Sequence, residues 1–167
     1  IRSTAERAAA AGIALRPHVK THKCVEIARL QVAAGAVGIT CQKLGEVEIF
    51  VDAGVTDDIL LTFNILGEPK TDRLMALVKR VRRLAVVLDN DVVAHALSAA
   101  AVRHGVDLRF LVECDTGFGR TGVQTPDEAF GLAGRAMRLP RMHFDGLMTF
   151  PNRDPNTRDF FDAALAL

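Results

Sequence analysis

Four times along this chain a glycine closes a helical stretch and an apolar run follows at once: Gly12 before IAL, Gly35 before AVGIT, Gly54 before VTDDILL and Gly105 before VDLRFLVE. A glycine placed after a helix accepts the left-handed backbone that ends it, so each is an expected helix stop. The recurring unit is therefore helix, glycine, strand. Strands are expected near 13–20, 36–40, 58–62, 84–88, 108–114 and 143–149, with helices near 3–11, 24–34, 43–53, 68–82, 90–104, 126–138 and 156–166. Strands that alternate with long helices run parallel through right-handed crossovers, which makes the fold class α/β. Runs such as LAVVL and DILL are apolar on both faces, as strands covered on both sides require. Six strands at steady spacing favour a TIM-type (β/α) barrel, and since eight strands close one, the barrel is expected to be incomplete.

The amount of material agrees with one domain over residues 1–167: 49% of the residues are hydrophobic and 25% charged, with no linker or low-complexity segment between the units. A formal net charge of +1 spread along the chain, with no Trp or Tyr, gives neither the basic stripe nor the stacking platforms of a nucleic-acid binder. No apolar run reaches the roughly 18 residues needed to span a bilayer, and no signal peptide is evident, so no membrane partner is expected. Cys24, Cys41 and Cys114 are odd in number and lack CxxC spacing, which reads as free thiols in a reducing compartment and makes the cytoplasm the expected location. The chain opens on Ile1 rather than Met and stops inside the helical pattern of DFFDAALAL, so it is expected to be a fragment.

The densest chemistry lies in LRPHVKTHK, residues 15–23. Side chains alternate along a strand, so Ile13, Leu15, Pro17 and Val19 share one face while Arg16, His18, Lys20 and His22 share the other. The apolar set can pack beneath helices. The polar set then faces the barrel interior near the strand's C-terminal end, where barrel enzymes place their chemistry. Lys23 has the opposite parity and stands at a helix start, leaving Lys20 as the inner lysine, an amine able to condense with an aldehyde. On pattern alone, the same residues also suit a solvated strand end.

VECDTGFGRTGVQTPDEAF contains Gly117, Gly119 and Gly122, formally the GxGxxG of a dinucleotide site, with Asp145 downstream as the ribose-binding acid. In that fingerprint the glycines open the helix. Here Thr125, Pro126 and Glu128 supply an N-cap, a first-turn proline and a capping-box partner, so the helix starts later. The alternative is a tight loop of Asp115, Gly117, Gly119 and Arg120 that aims an arginine at the site Lys20 faces, where it could hold an anionic oxygen. A surface turn with a solvated arginine is the remaining possibility. His95 and His104 lie nine residues apart on one helix and His143 begins a strand, so no metal site is expected among these residues.

Taken together, LRPHVKTHK, GITCQKLGEVEIFVDAG, DDILLTFNI, VECDTGFGRTGV and FDGLMTFP, in that order over nearly the whole chain, resemble the D-threonine aldolase and D-serine dehydratase-like family, whose N-terminal domain is the alanine racemase type of barrel. The resemblance implies that Lys20 carries pyridoxal 5'-phosphate on its amine, with Arg120 near the cofactor's phenolic oxygen. It also places His18, Gln42, Thr149 and Phe150 beside the cofactor. Many relatives carry a His or Tyr where this chain has Met148, Thr149 and Phe150. The implied activity is a lyase for D-3-hydroxy amino acids, foremost D-threonine aldolase-like cleavage to glycine and an aldehyde. The alternatives are a D-serine or D-3-hydroxyaspartate dehydratase, an amino-acid racemase, and a pyridoxal phosphate carrier without turnover. The resemblance further implies a homodimer at full length, and a zinc or manganese ion whose ligands lie in a C-terminal β-domain outside these residues.

Overall fold

In the computed structural model, which describes residues 1–150 and 156–167, all four glycines predicted to stop helices adopt positive φ, from 59° at Gly54 to 104° at Gly35. The elements they punctuate are α1 (Arg2–Ala10), α2 (Val25–Ala33), β1 (Ile39–Cys41), α3 (Leu44–Asp52), β2 (Asp58–Leu61), α4 (Glu68–Val78), β3 (Arg83–Leu88), α5 (Asp91–His104), β4 (Leu108–Cys114), α6 (Pro126–Met137), β5 (Met142–Thr149) and α7 (Asn156–Leu165). The strands follow chain order in the sheet, β1-β2-β3-β4-β5, and the pairs β1–β2, β3–β4 and β4–β5 are parallel. The fold is α/β, with an incomplete barrel of five strands among the described residues.

Six strands were expected, and the first is the difference. Residues 13–18 run extended beside β1, where the Pro17 carbonyl accepts from Thr40 N–H at 2.8 Å, the Leu15 carbonyl accepts from Val37 N–H at 2.9 Å, and His18 makes a single parallel bridge to Thr40. No ladder forms. Pro17 has no N–H to donate, and a 3-10 turn (Val19–Thr21) takes over immediately after His18. Packing of the apolar set is correspondingly uneven, with Val19 fully buried and Ile13 exposed.

Contacts divide the chain into two compact units. The first, residues 1–63 and 73–84, has its core at Val19, Ile39, Cys41, Phe50, Ile59 and Leu61, all essentially inaccessible. The same unit holds an ion cluster around buried Asp58. Asp58 Oδ1 takes Arg16 Nη1 at 2.8 Å and Arg83 Nη1 at 3.0 Å, its side chain only 10% exposed. Burial opposes ionisation of Asp58, but the hydrogen bonds and charges of Arg16 and Arg83 overcome it and hold the carboxyl below its ordinary value.

The second unit, residues 64–72 and 85–167, is built on β3, buried from Ala85 to Leu88, and on Phe110 and Val112 of β4. Phe110 meets Phe144 of β5 with ring centroids 5.6 Å apart. The β4–β5 register shifts between Phe110 and Leu111, so Asp145 stands in a bulge before Gly146. The predicted start of α6 holds in detail: Thr125 Oγ1 accepts from Glu128 N–H at 3.2 Å, and Glu128 Oε2 accepts from Thr125 N–H at 3.1 Å.

The three cysteines are free thiols in unlike surroundings. Burial, and secondarily a neighbouring glutamate, pushes the Cys41 and Cys114 thiols up to about 12, whereas half-buried Cys24 donates to Glu26 Oε2 at 3.1 Å. Because the thiolate is the reactive form, brief alkylation of the native protein at about pH 8 is expected to modify Cys24 and spare Cys41 and Cys114. Peptide mapping checks this, with all three modified once denaturant is added.

Candidate active site

The 3-10 turn that ends the first extended segment determines where Lys20 points. His18 is the residue before it, and its Nδ1 accepts the backbone N–H of Lys20 at 3.4 Å. Turned this way, Lys20 Nζ donates to Gln42 Oε1 at 3.4 Å, and Gln42 Nε2 donates to the Thr62 carbonyl at 3.4 Å. Gln42 leaves the end of β1 with its own N–H donated to the buried carboxylate of Glu46 at 2.7 Å, so the first turn of α3 fixes its direction.

His18 faces Thr62 across the same site, Nε2 to Oγ1 at 3.3 Å, while Thr62 Oγ1 donates to the Cys41 carbonyl at 3.2 Å. The tautomer that suits the Lys20 N–H and Thr62 Oγ1 contacts is neutral, with Nδ1 accepting and the proton on Nε2. Burial lowers the His18 pKa below its ordinary value, the Lys20 ammonium adds to this, and both favour that neutral ring.

Arg16, His18 and Lys20 thus reach Asp58, Thr62 and Gln42 in turn, the first two from extended backbone and Lys20 from the 3-10 turn. His22 does not join them. Beyond the 3-10 turn its Nδ1 accepts Cys24 N–H at 3.1 Å and its Nε2 meets Gln31 Oε1 at 3.2 Å, which turns the ring toward α2. Lys23 adopts a φ of 48° and stands 60% exposed, 3.5 Å from Glu46 Oε1.

In the second unit the glycine-rich loop folds around Asp115. Its Oδ1 accepts the N–H groups of Gly117, Phe118 and Gly119 at 3.0, 2.8 and 3.1 Å, and its Oδ2 accepts that of Arg120 at 2.9 Å. Burial opposes ionisation of this carboxyl, and the four donors outweigh it, holding the group below its ordinary value. The loop closes where Val123 N–H donates to the Glu113 carbonyl and Asp115 N–H to the Val123 carbonyl, both at 2.9 Å. Buried Glu113 accepts from Thr121 Oγ1 at 2.8 Å, and burial raises its pKa against that bond. Asp89 adds a tie from the end of β3, accepting Gly122 N–H at 3.2 Å and Asn64 Nδ2 at 2.7 Å.

At the loop's outer end the Arg120 guanidinium lies over the Phe150 ring, 5.7 Å from its centroid, and Phe118 meets the same ring at 5.2 Å. Thr149 Oγ1 lies 3.2 Å from Thr116 Oγ1, which accepts from Thr157 Oγ1 at 2.9 Å. The structure therefore gathers Lys20, His18 and Gln42 in the first unit and Arg120, Thr149 and Phe150 in the second. Pro151, the last residue of the FDGLMTFP motif, lies outside the described residues.

This loop rules out the dinucleotide reading. The N–H groups that would cradle a pyrophosphate are already taken by Asp115, and Asp145 is bound to Arg109 Nη1 at 2.7 Å from its bulge in β5. Among the described residues, no group of three or more His, Cys, Asp or Glu side chains could hold a metal ion.

Thr62, Glu46 and the four-donor role of Asp115 were not foreseen from sequence. Thr62 shares strand parity with Asp58, so alternation through DDILLTFN could have found it. An aspartate ahead of a glycine-rich run is itself a local capping signal.

Gly122 is the tightest point of the loop. A Cβ built there would lie 2.6 Å from Asp115 N and 2.6 Å from the Cys114 carbonyl carbon, at a φ of +109°. Gly122→Ala is expected to destabilise the fold by about 2 kcal/mol or more, measured as a lower denaturation midpoint.

Against known proteins, the chain matches the family model described as alanine racemase, N-terminal domain, over residues 1–166. It is 41% identical over 138 residues to a D-threonine aldolase of Arthrobacter sp, covering 83% of this chain and 36% of that protein. It is 37% identical over 155 residues to a 3-hydroxy-D-aspartate aldolase of Paracoccus denitrificans, covering 92% and 40%. A D-threo-3-hydroxyaspartate dehydratase of Delftia sp. is 36% identical over 145 residues, covering 86% and 38%. Among solved structures, a D-threonine aldolase from Filomicrobium marinum superposes with a TM-score of 0.84 at 37% identity, covering 87% of this chain and 39% of that one. The chain thus spans about two fifths of the length of these relatives.

Proposed function

This chain belongs to the alanine racemase N-terminal domain family, and from that membership we propose that residues 1–167 form the cofactor-binding barrel domain of a pyridoxal 5'-phosphate-dependent lyase that cleaves D-3-hydroxy amino acids, D-threonine foremost, to glycine and an aldehyde. The observation that carries this reading is the presentation of Lys20 by the His18-capped turn, with its amine donated to Gln42 Oε1 at 3.4 Å.

The donor set suits the cofactor. Lys20 offers the amine for its aldehyde, and Arg120, the cation for its phenolic oxygen, is held beside Phe150. When bound, pyridoxal phosphate supplies an electron-withdrawing ring conjugated to the substrate's nitrogen. The chain's own residues do the rest. Lys20 would hold the cofactor through its amine, Gln42 and the neutral His18 would orient that amine, and Arg120 would meet the ring's oxygen. Thr149 and Phe150 stand beside Arg120 as the further residues assigned to the cofactor's border. The whole protein is taken to be a cytoplasmic homodimer, with any zinc or manganese held by residues outside this chain.

The likeness to a dehydratase at 36% identity favours a second reading, loss of water rather than an aldehyde from the same substrates. Incubation of the whole, cofactor-loaded protein with D-threonine and with D-threo-3-hydroxyaspartate separates the two. Glycine with an aldehyde supports the aldolase. Ammonia with a 2-oxo acid supports the dehydratase, and turnover of neither substrate contradicts both.

A further inference from the structure

Four consecutive backbone N–H groups aimed at one side chain are an uncommon concentration of donors. Residues 117–120 give Asp115 three bonds on Oδ1 and one on Oδ2, all between 2.8 and 3.1 Å. Gly117 and Gly119 adopt φ of 114° and 69° to bring those donors inward. The last donor belongs to Arg120 itself, so the carboxylate grips the backbone from which the guanidinium departs toward Phe150. Behind it, Asp89 holds Gly122 and Glu113 holds Thr121. A carboxylate with four donors fixes the local dihedrals far more firmly than the glycines could alone.

We propose that Asp115 is the positioning residue for Arg120, setting the guanidinium over Phe150 before any ligand arrives so that it meets the cofactor's phenolic oxygen without reorganising. This rests on the function proposed above, since that reading assigns the oxygen to Arg120. Asp115 itself touches no ligand. Its whole effect passes through the backbone of residues 117–120, and this separates it from a generally stabilising residue.

The test is a double-mutant cycle in the whole protein, read as the dissociation constant for pyridoxal 5'-phosphate by titration of the apoprotein. Asp115→Asn is expected to weaken binding about 10-fold and Arg120→Ala about 100-fold, with the double variant close to Arg120→Ala alone. Amide hydrogen exchange on the apoproteins is expected to show Asp115→Asn losing protection at residues 117–120 and keeping it along β4. If Asp115→Asn does not fold, Asp115→Glu carries the same cycle, displacing the charge by one methylene.

Losses that multiply in the double variant, to about 1000-fold, overturn the positioning role while leaving the function intact. Wild-type affinity in both Asp115 variants overturns it as well. If the wild-type protein binds no pyridoxal phosphate although its loop amides are protected, the proposed function fails, and the role given to Asp115 falls with it.

Discussion

Lys20→Ala in the whole protein is expected to reduce turnover of D-3-hydroxy amino acids by roughly 10³-fold or more and to abolish the cofactor's absorption band near roughly 420 nm. The size of the effect follows from the kind of role. A residue that forms a covalent bond to the cofactor cannot be replaced by residual binding, whereas a residue that only orients can be compensated in part. Lys20→Arg is expected to fail equally, because it keeps the charge and loses the nucleophilic amine. Lys23→Ala is the matched control. That side chain is 60% exposed, beside Glu46, and its removal is expected to leave the band in place. Retention of the band by Lys20→Ala would show that another lysine carries the cofactor.

The second large effect concerns stability. Asp58→Ala leaves Arg16, only 19% exposed, and Arg83, 25% exposed, without the carboxylate between them. Removing the shared carboxylate takes from the half-buried Arg16 guanidinium its 2.8 Å ion pair, so a loss of about 3 kcal/mol is expected near neutral pH. Gly38 adds to the difficulty of relaxing there. A Cβ at residue 38 would lie 2.3 Å from the Asp58 carbonyl oxygen and 2.4 Å from Arg16 Nη1, so the backbone is packed directly against the pair. The pH dependence has a definite sign. The folded pKa of Asp58 lies below its ordinary value, so its contribution is present above the unfolded pKa of about 3.9 and is lost as pH falls through the lower folded value. The gap between wild type and Asp58→Ala in denaturant midpoint is therefore expected to be full near neutrality and to narrow below about pH 4. A gap unchanged in acid would show that the aspartate acts through packing instead.

Periodicity carries most of the architecture because it reports burial, and burial is what the helix–strand alternation serves. The helix stops at Gly12, Gly35, Gly54 and Gly105 were legible for the same reason: their backbones occupy a region that other residues avoid. The first strand was overstated. Alternation over residues 13–20 describes an extended chain, but it does not say that Pro17 withholds a donor or that a 3-10 turn begins at Val19. The turn also explains why alternation describes Arg16 and His18 but neither His22 nor the direction of Lys20: two-residue alternation ends where the extended backbone ends, at His18, and Lys20 is aimed by the turn itself.

The candidate site divides in the same way. Lys20 stands out in the sequence by its parity, and Arg120 by the glycines around it. Their supports do not. Glu46 lies four residues past Gln42 and looks like an ordinary helix-face acid, yet its buried carboxylate fixes the Gln42 backbone at 2.7 Å. Thr62 meets His18 from 44 positions away, a distance no local pattern spans. Such contacts are set by strand register, which sequence alternation leaves free.

The most direct test of the central claim is to reduce the whole, pyridoxal phosphate-loaded protein with borohydride, digest it, and map the lysine that carries the trapped cofactor. The added mass is expected on the peptide containing Lys20. Its appearance on Lys23, Lys43 or any other lysine, or on none, would contradict that claim.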